Sequence, residues 1–181
     1  MSKSNANIKF FIPILLVVMI STALYADLKA NTKAPDFTLK TLDGKNYTLS
    51  ENFKENPKVV ILIFWAVYCH ACRVELPLIS DLSKKFDNKN VEFVAVALDR
   101  NKNTVAEYTK DKKFNLTILH DSQGEKTGVP YKISFIPATY IIDKKGVIRY
   151  VNSNFPNSKE DQKKMIHNME KEINRLLKEK Q

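Results

Sequence analysis

Two cysteines three residues apart, Cys69-His70-Ala71-Cys72, are the only cysteines in a chain of 181 residues. Sulfur at that spacing can close a small disulfide, ligate a soft metal, or cycle between dithiol and disulfide. As a staple the pair would achieve little, because a bridge around so short a loop hardly constrains the unfolded chain. A structural zinc site would need further ligands, and the distant histidines, His120 and His167, read as ordinary turn and surface residues. Redox cycling fits the flanks. Lys58 to Ala66 is almost continuously apolar and rich in β-branched residues, as expected of a central strand buried on both faces. From Ala71 to Phe86 the residues Val74, Leu78, Leu82 and Phe86 recur every four, which predicts a helix with that face buried. A thiol at a strand-to-helix junction sits at the helix N-terminus, where unpaired N–H groups and the helix dipole favour its thiolate. Such settings bring a thiol from a pKa of about 8.5 to about 3.5–7.5. Cys72, one turn inward, is placed to attack a mixed disulfide on Cys69 and release the product.

The elements that must hold this pair follow from pattern. Asp36 to Leu42 and Tyr47 to Leu49 alternate apolar and polar residues around Asp43-Gly44, predicting a hairpin, with Ser50 capping a short helical turn through Phe53. A second buried strand is expected over Val91 to Leu98, a helix over Lys102 to Phe114, a short strand over Leu116 to Leu119 and a short helix over Glu125 to Lys132. Ala138 to Ile142 and Val147 to Val151 form a second hairpin around Asp143-Lys144-Lys145-Gly146. Ser158 to Lys180 carries Met165, Ile166, Met169, Ile173, Leu176 and Leu177 on one stripe, an amphipathic helix docked on the domain. The expected fold class is α/β, a mixed central sheet with helices on both faces and an N-terminal β-hairpin.

A hydrophobic content of 44% suits one globular domain. Lys3 and Lys9 precede an uncharged run from Phe10 to Ala23 and a small-residue exit at Ala26, so residues 1–26 read as a secretory signal peptide. An uncleaved N-terminal anchor is the alternative, at the short edge of what spans a bilayer. Either way residues 27–181 are expected outside the cytoplasm, in a periplasm or on the outer face of the membrane. The formal charge is +9, yet the lysines are scattered in pairs without interleaved aromatics, which argues against nucleic-acid binding.

The segment Phe64-Trp65-Ala66-Val67-Tyr68-Cys69-His70-Ala71-Cys72-Arg73-Val74-Glu75-Leu76-Pro77, with Ile136-Pro137-Ala138-Thr139 further on, resembles the TlpA/ResA-like branch of the thioredoxin superfamily from about Lys33 to Val151. The resemblance implies a thioredoxin-like fold and thiol:disulfide oxidoreductase activity. It implies that Cys69 attacks and Cys72 resolves. Pro137 would be the cis-proline beside the disulfide, and Ile136 would offer its backbone to an extended substrate. Trp65 would pack behind the motif, Pro77 would kink the helix, and Glu75 would lie beneath the thiols, raising their pKa and shuttling a proton to or from Cys72.

The chain departs from its wider relatives at several places. Thioredoxin's buried aspartate is replaced by Ile63, the proline before the second cysteine by Ala71, and the aromatic before the first cysteine is Tyr68. His70, when protonated, could stabilise the Cys69 thiolate, but an unperturbed histidine is mostly neutral at pH 7. The expected activity is therefore reduction of protein disulfides by a monomer without a cofactor or metal. Secreted proteins or apocytochrome c Cys-x-x-Cys-His segments would be the clients, and a membrane or soluble partner would donate electrons. A disulfide donor or isomerase is the alternative direction. Two other classes compete: a Cu(I) module using Cys69, Cys72 and His70 or His120, and a thiol peroxidase suggested by Ala34-Pro35-Asp36-Phe37. The peroxidase would need Pro and Thr or Ser where Leu62 and Ala66 stand.

Overall fold

The computed structural model describes residues 28–179 apart from Asn88, so the leader expected over 1–26 lies outside the described residues. In chain order the elements are β1 (Thr38–Thr41), β2 (Asn46–Thr48), β3 (Val59–Trp65), α1 (His70–Lys84), β4 (Val91–Ala97), α2 (Lys102–Thr109), β5 (Thr117–His120), β6 (Ala138–Ile142), β7 (Ile148–Asn152) and α3 (Lys159–Lys178). The strands form one mixed sheet in the order β2-β1-β5-β4-β3-β6-β7. β3 runs parallel to β4 and antiparallel to β6, and β5 joins the outer edge of β4 in parallel. The N-terminal hairpin extends the sheet by pairing β1 antiparallel to β5, a contact that no local pattern announces.

Every residue of β3 is buried, and its alternation divides the core in two. Val59, Ile61, Ile63 and Trp65 face one cluster, which takes in Cys72, Leu76, Ile79 and Leu82 of α1, Val105 of α2, and Met165, Met169, Ile173 and Leu176 of α3. Val60, Leu62 and Phe64 face the other, covered by Leu49 of a 3₁₀ turn (Leu49–Phe53), Phe37, and Tyr131. Helical segments thus cover both faces, the α-helices on one and 3₁₀ and turn structure on the other. Tyr131 is pinned there by its hydroxyl, which donates to the Pro35 carbonyl at 2.8 Å.

Four local expectations need correction. The buried face of α1 is Cys72, Glu75, Leu76, Ile79, Ser80, Leu82 and Ser83, and the predicted leading residue Val74 is exposed. The helix docks one position round from the four-residue stripe, because Ser83 is drawn inward by bonds from its hydroxyl to the Ser80 and Asn115 carbonyls, both at 2.8 Å. The 3₁₀ turn is capped from outside: the Ser50 N–H donates to the Asp36 carboxylate at 2.9 Å, and the N-cap residue is Thr48. α2 stops at Thr109, whose hydroxyl bonds back to the Val105 carbonyl, and Lys113 adopts φ +44, where a right-handed helix cannot continue. The helix expected over 125–132 is instead a 3₁₀ turn (Ser122–Gly124) followed by turns. There the Asp121 carboxylate accepts from the N–H groups of Lys126 and Thr127, and Gln123 and Lys132 both take positive φ. Gly128 is required in this coil, since a Cβ on it would stand 2.8 Å from the Gly124 carbonyl oxygen.

The expected amphipathic helix at the C-terminal end docks on α1 with Met165, Met169, Ile173 and Leu176 buried, capped by the Ser158 hydroxyl, which accepts from the Asp161 N–H at 3.1 Å. Ile79→Ala should lower the unfolding free energy of the oxidised chain by about 2–5 kcal/mol in denaturant titrations, whereas Val74→Ala should cost less than about 1 kcal/mol.

Candidate active site

The carboxyl end of β3 lies level with that of β4, Trp65 opposite Ala97, and the chain leaves the sheet there into the cysteine loop. Asp99, buried just past β4, fixes this loop: its two carboxylate oxygens accept from the Val67 N–H at 3.2 and 3.0 Å. Its own carbonyl is held by His120 Nε2 at 2.7 Å. His120, a candidate ligand in the Cu(I) reading, is engaged in this brace. Cys69 is the N-cap of α1 and bonded to Cys72 as a disulfide. Its Sγ accepts from the Cys72 N–H at 3.1 Å, the interaction that would stabilise a thiolate once the disulfide is opened. Cys69 is half-buried and Cys72 is 1% exposed, so only Cys69 can meet a partner without rearrangement.

From the other side comes the segment before β6. The Ile136-Pro137 bond is cis, and the Ile136 carbonyl oxygen stands 3.7 Å from Cys69 Sγ. Two aromatic rings flank this contact on the surface, Tyr68 at 75% exposure and Phe135 at 77%. His70 is exposed at the first turn of α1 and makes no hydrogen bond among the described residues. Trp65 is wholly buried in the cluster that contains Cys72, packed against Tyr108 of α2 with ring centroids 5.7 Å apart. Its indole Nε1 has no hydrogen-bond partner among the described residues. Pro77 lies inside α1.

Glu75 is 1% exposed, three residues after Cys72 and on the same face of α1. Its Oε1 accepts from the Thr139 hydroxyl at 3.3 Å, and Oε2 has no partner. Burial pushes the carboxyl up to a pKa of about 7, with the Thr139 hydrogen bond opposing. Tyr150, partly buried on β7, is pushed up by burial and then by the Glu75 charge. Among the described residues no group of three His, Cys, Asp or Glu side chains could hold a metal ion. Sequence reasoning singled out Cys69, Cys72, Glu75, Ile136, Pro137, Trp65, Tyr68 and His70, and the fold gathers them at one end of the sheet. It missed Asp99 and Thr139. Asp99 was signalled by an acid at the close of an apolar run, and Thr139 by a hydroxyl inside one.

The raised carboxyl has a measurable cost. Its folded pKa of about 7 lies above the ordinary 4.5, so Glu75 should weaken the fold progressively as pH rises from about 4.5 to about 7. Glu75→Gln should therefore stabilise the oxidised chain at pH 8 by an amount on the order of 3 kcal/mol and have little effect at pH 4, as read from denaturant midpoints.

Residues 30–151 match the AhpC/TSA family. The chain is 32% identical over 149 residues to the thiol-disulfide oxidoreductase ResA of Oceanobacillus iheyensis, the match covering 76% of each chain. It is 32% identical over 141 residues to the thioredoxin-like protein YneN of Bacillus subtilis, covering 76% of this chain and 79% of that one. Among solved structures, a thiol:disulfide interchange protein of the thioredoxin family from Chlorobium tepidum shares the fold with a TM-score of 0.66 at 24% identity, covering 84% of this chain and 99% of the other. The cystine at the helix N-terminus, the sheet that presents it and these matches lead to one conclusion: the chain belongs to the AhpC/TSA family and is a thiol-disulfide oxidoreductase of the ResA type with a thioredoxin-like fold.

Proposed function

We propose that the chain is an extracytoplasmic reductase of protein disulfides, with Cys69 the attacking thiol, Cys72 the resolving thiol and Glu75 the proton acceptor for Cys72. The observation that carries the direction is the buried carboxyl: with a pKa of about 7 and an unpartnered oxygen, Glu75 disfavours thiolate nearby and so favours the disulfide form of the pair. Cys69, half-buried at the helix N-terminus, attacks one sulfur of a client disulfide; the client S–S bond breaks and the other client sulfur leaves as thiolate and is protonated. Cys72 then loses its proton to Glu75 and attacks Cys69 Sγ. The Cys69–Cys72 bond forms, the second client sulfur leaves as thiolate, and two electrons have passed to the client. A membrane or soluble dithiol partner returns them.

The backbone of Ile136 and the rings of Tyr68 and Phe135 offer an extended client segment a hydrogen-bonding edge with an apolar rim. Secreted proteins or the Cys-x-x-Cys-His segments of apocytochrome c would fit this surface. The placement outside the cytoplasm rests on the charged start and apolar run of residues 1–26. No helix among the described residues is long and apolar enough to cross a membrane. The peroxidase alternative lacks both the proline and the hydroxyl it needs: Leu62 and Ala66 stand in those places, both completely buried apolar residues.

Cys72→Ala should accumulate mixed disulfides with clients in cells while Cys69→Ala accumulates none; equal trapping by both would count against the assigned roles. Equilibration with glutathione or dithiothreitol should place the potential below about −220 mV, and Glu75→Gln should raise it. A wild-type value above about −180 mV would make the protein a disulfide donor or isomerase.

A further inference from the structure

A buried threonine hydroxyl is costly unless it is hydrogen-bonded, and Thr139 is completely buried on β6, the strand inside the β7 edge of the sheet. It is the second residue of β6, paired with Ile63 of β3 on one side and Asn152 of β7 on the other, so its backbone has no freedom to shift. Its hydroxyl donates to Oε1 of Glu75 at 3.3 Å. The second carboxyl oxygen, Oε2, is equally buried and has no partner. An unsatisfied buried oxygen weakens a fold and serves no structural purpose. We propose that Thr139 is the positioning residue for the resolving step: by holding Oε1 it fixes the carboxyl and leaves Oε2 as the atom that takes up and returns the Cys72 proton. This rests on the reading of Glu75 as the acceptor for Cys72.

The surroundings of the carboxyl make Thr139 the element on which its behaviour turns. Cys72 precedes it by three residues on α1, and Tyr150 faces the same side of the sheet, because its partner Ile141 lies two residues along β6 from Thr139. Trp65 and Ile63 of β3 and Met165, Met169 and Ile173 of α3 supply the apolar remainder of that core. Burial pushes the Glu75 carboxyl toward its protonated form, and the Thr139 hydroxyl opposes it. Without the hydroxyl, burial is no longer opposed by this bond: the carboxyl stays protonated to higher pH and the resolving thiol loses its base near neutrality.

The test is a ¹³C NMR titration of the Glu75 carboxyl in the oxidised full chain, assigned by its loss in Glu75→Gln, for wild type, Thr139→Val and Thr139→Ser. Thr139→Val should move the midpoint up by about one pH unit or more, and Thr139→Ser should restore it. In the reduced chain, the second, intramolecular phase of the reaction with dithiobis(nitrobenzoate), in which Cys72 expels thionitrobenzoate from Cys69, should shift its pH profile by the same amount. Should the valine variant fail to fold, Thr139→Ala carries the same expectation. A midpoint within about 0.2 unit of wild type in a folded variant lacking the hydroxyl overturns the role of Thr139. A midpoint that rises while the thionitrobenzoate phase stays unmoved overturns instead the reading of Glu75 as acceptor.

Discussion

Burial of β3 on both faces is the constraint from which the rest of the molecule follows. A strand with seven buried residues must have structure on each side, and the two sets of alternating side chains face two cores on opposite sides of the sheet. The strand must also end somewhere that reaches solvent. It ends at Trp65, and within four residues the chain has passed from a wholly buried indole to the half-buried Cys69. The reactive sulfur is therefore placed by a packing requirement, and Asp99 has only to hold the intervening turn by the Val67 N–H.

Glu75 shows the opposite relation between stability and chemistry. Its neighbours in the α1 core are apolar, and a leucine there would pack without an unsatisfied oxygen. The carboxyl is kept beside Cys72 with a single hydrogen bond, at a protonation balance near neutrality. Groups with such displaced titration gather where protons are moved. The indole Nε1 of Trp65, also buried and unpartnered, places a second unmet polar atom in the same core. The core behind the disulfide is thus less fully satisfied than the one on the far side of the sheet, where the hydroxyls of Tyr131 and Tyr140 each find a carbonyl.

What could be read from the sequence was what depends on short-range pattern. The continuous apolar run of β3, the Asp-Gly and Lys-Gly hairpin turns and the stripe of α3 each carry their signal within a dozen residues, and all three stand in the structure. The cysteine motif was legible in the same way, whereas the Ile136-Pro137 pair was reached through the family resemblance and not through local pattern. The buried side of α1 was misjudged by one position because Ser80 and Ser83, polar by type, face inward to meet Asn115 thirty-two residues or more away. The turn over 125–132 has helical composition, and the Asp121 carboxylate takes the N–H groups a helix would need. Thr139 and Asp99 work through partners 64 and 32 residues distant, and nothing in their own neighbourhoods points that far.

Those separations divide the site into two parts with different requirements. Cys69 and Cys72 lie three residues apart and can close a disulfide in a chain that has folded nowhere else. The Ile136 carbonyl meets Cys69 across 67 residues, and only after β6 has aligned against β3 with Phe64 opposite Ala138. Closure of long loops carries the larger entropy cost, and contacts of that range form only as the global topology does. If the Ile136 edge receives clients as proposed, an incompletely folded copy would carry electrons without the surface that selects where they go, and discrimination between partners would be a property of the finished sheet alone.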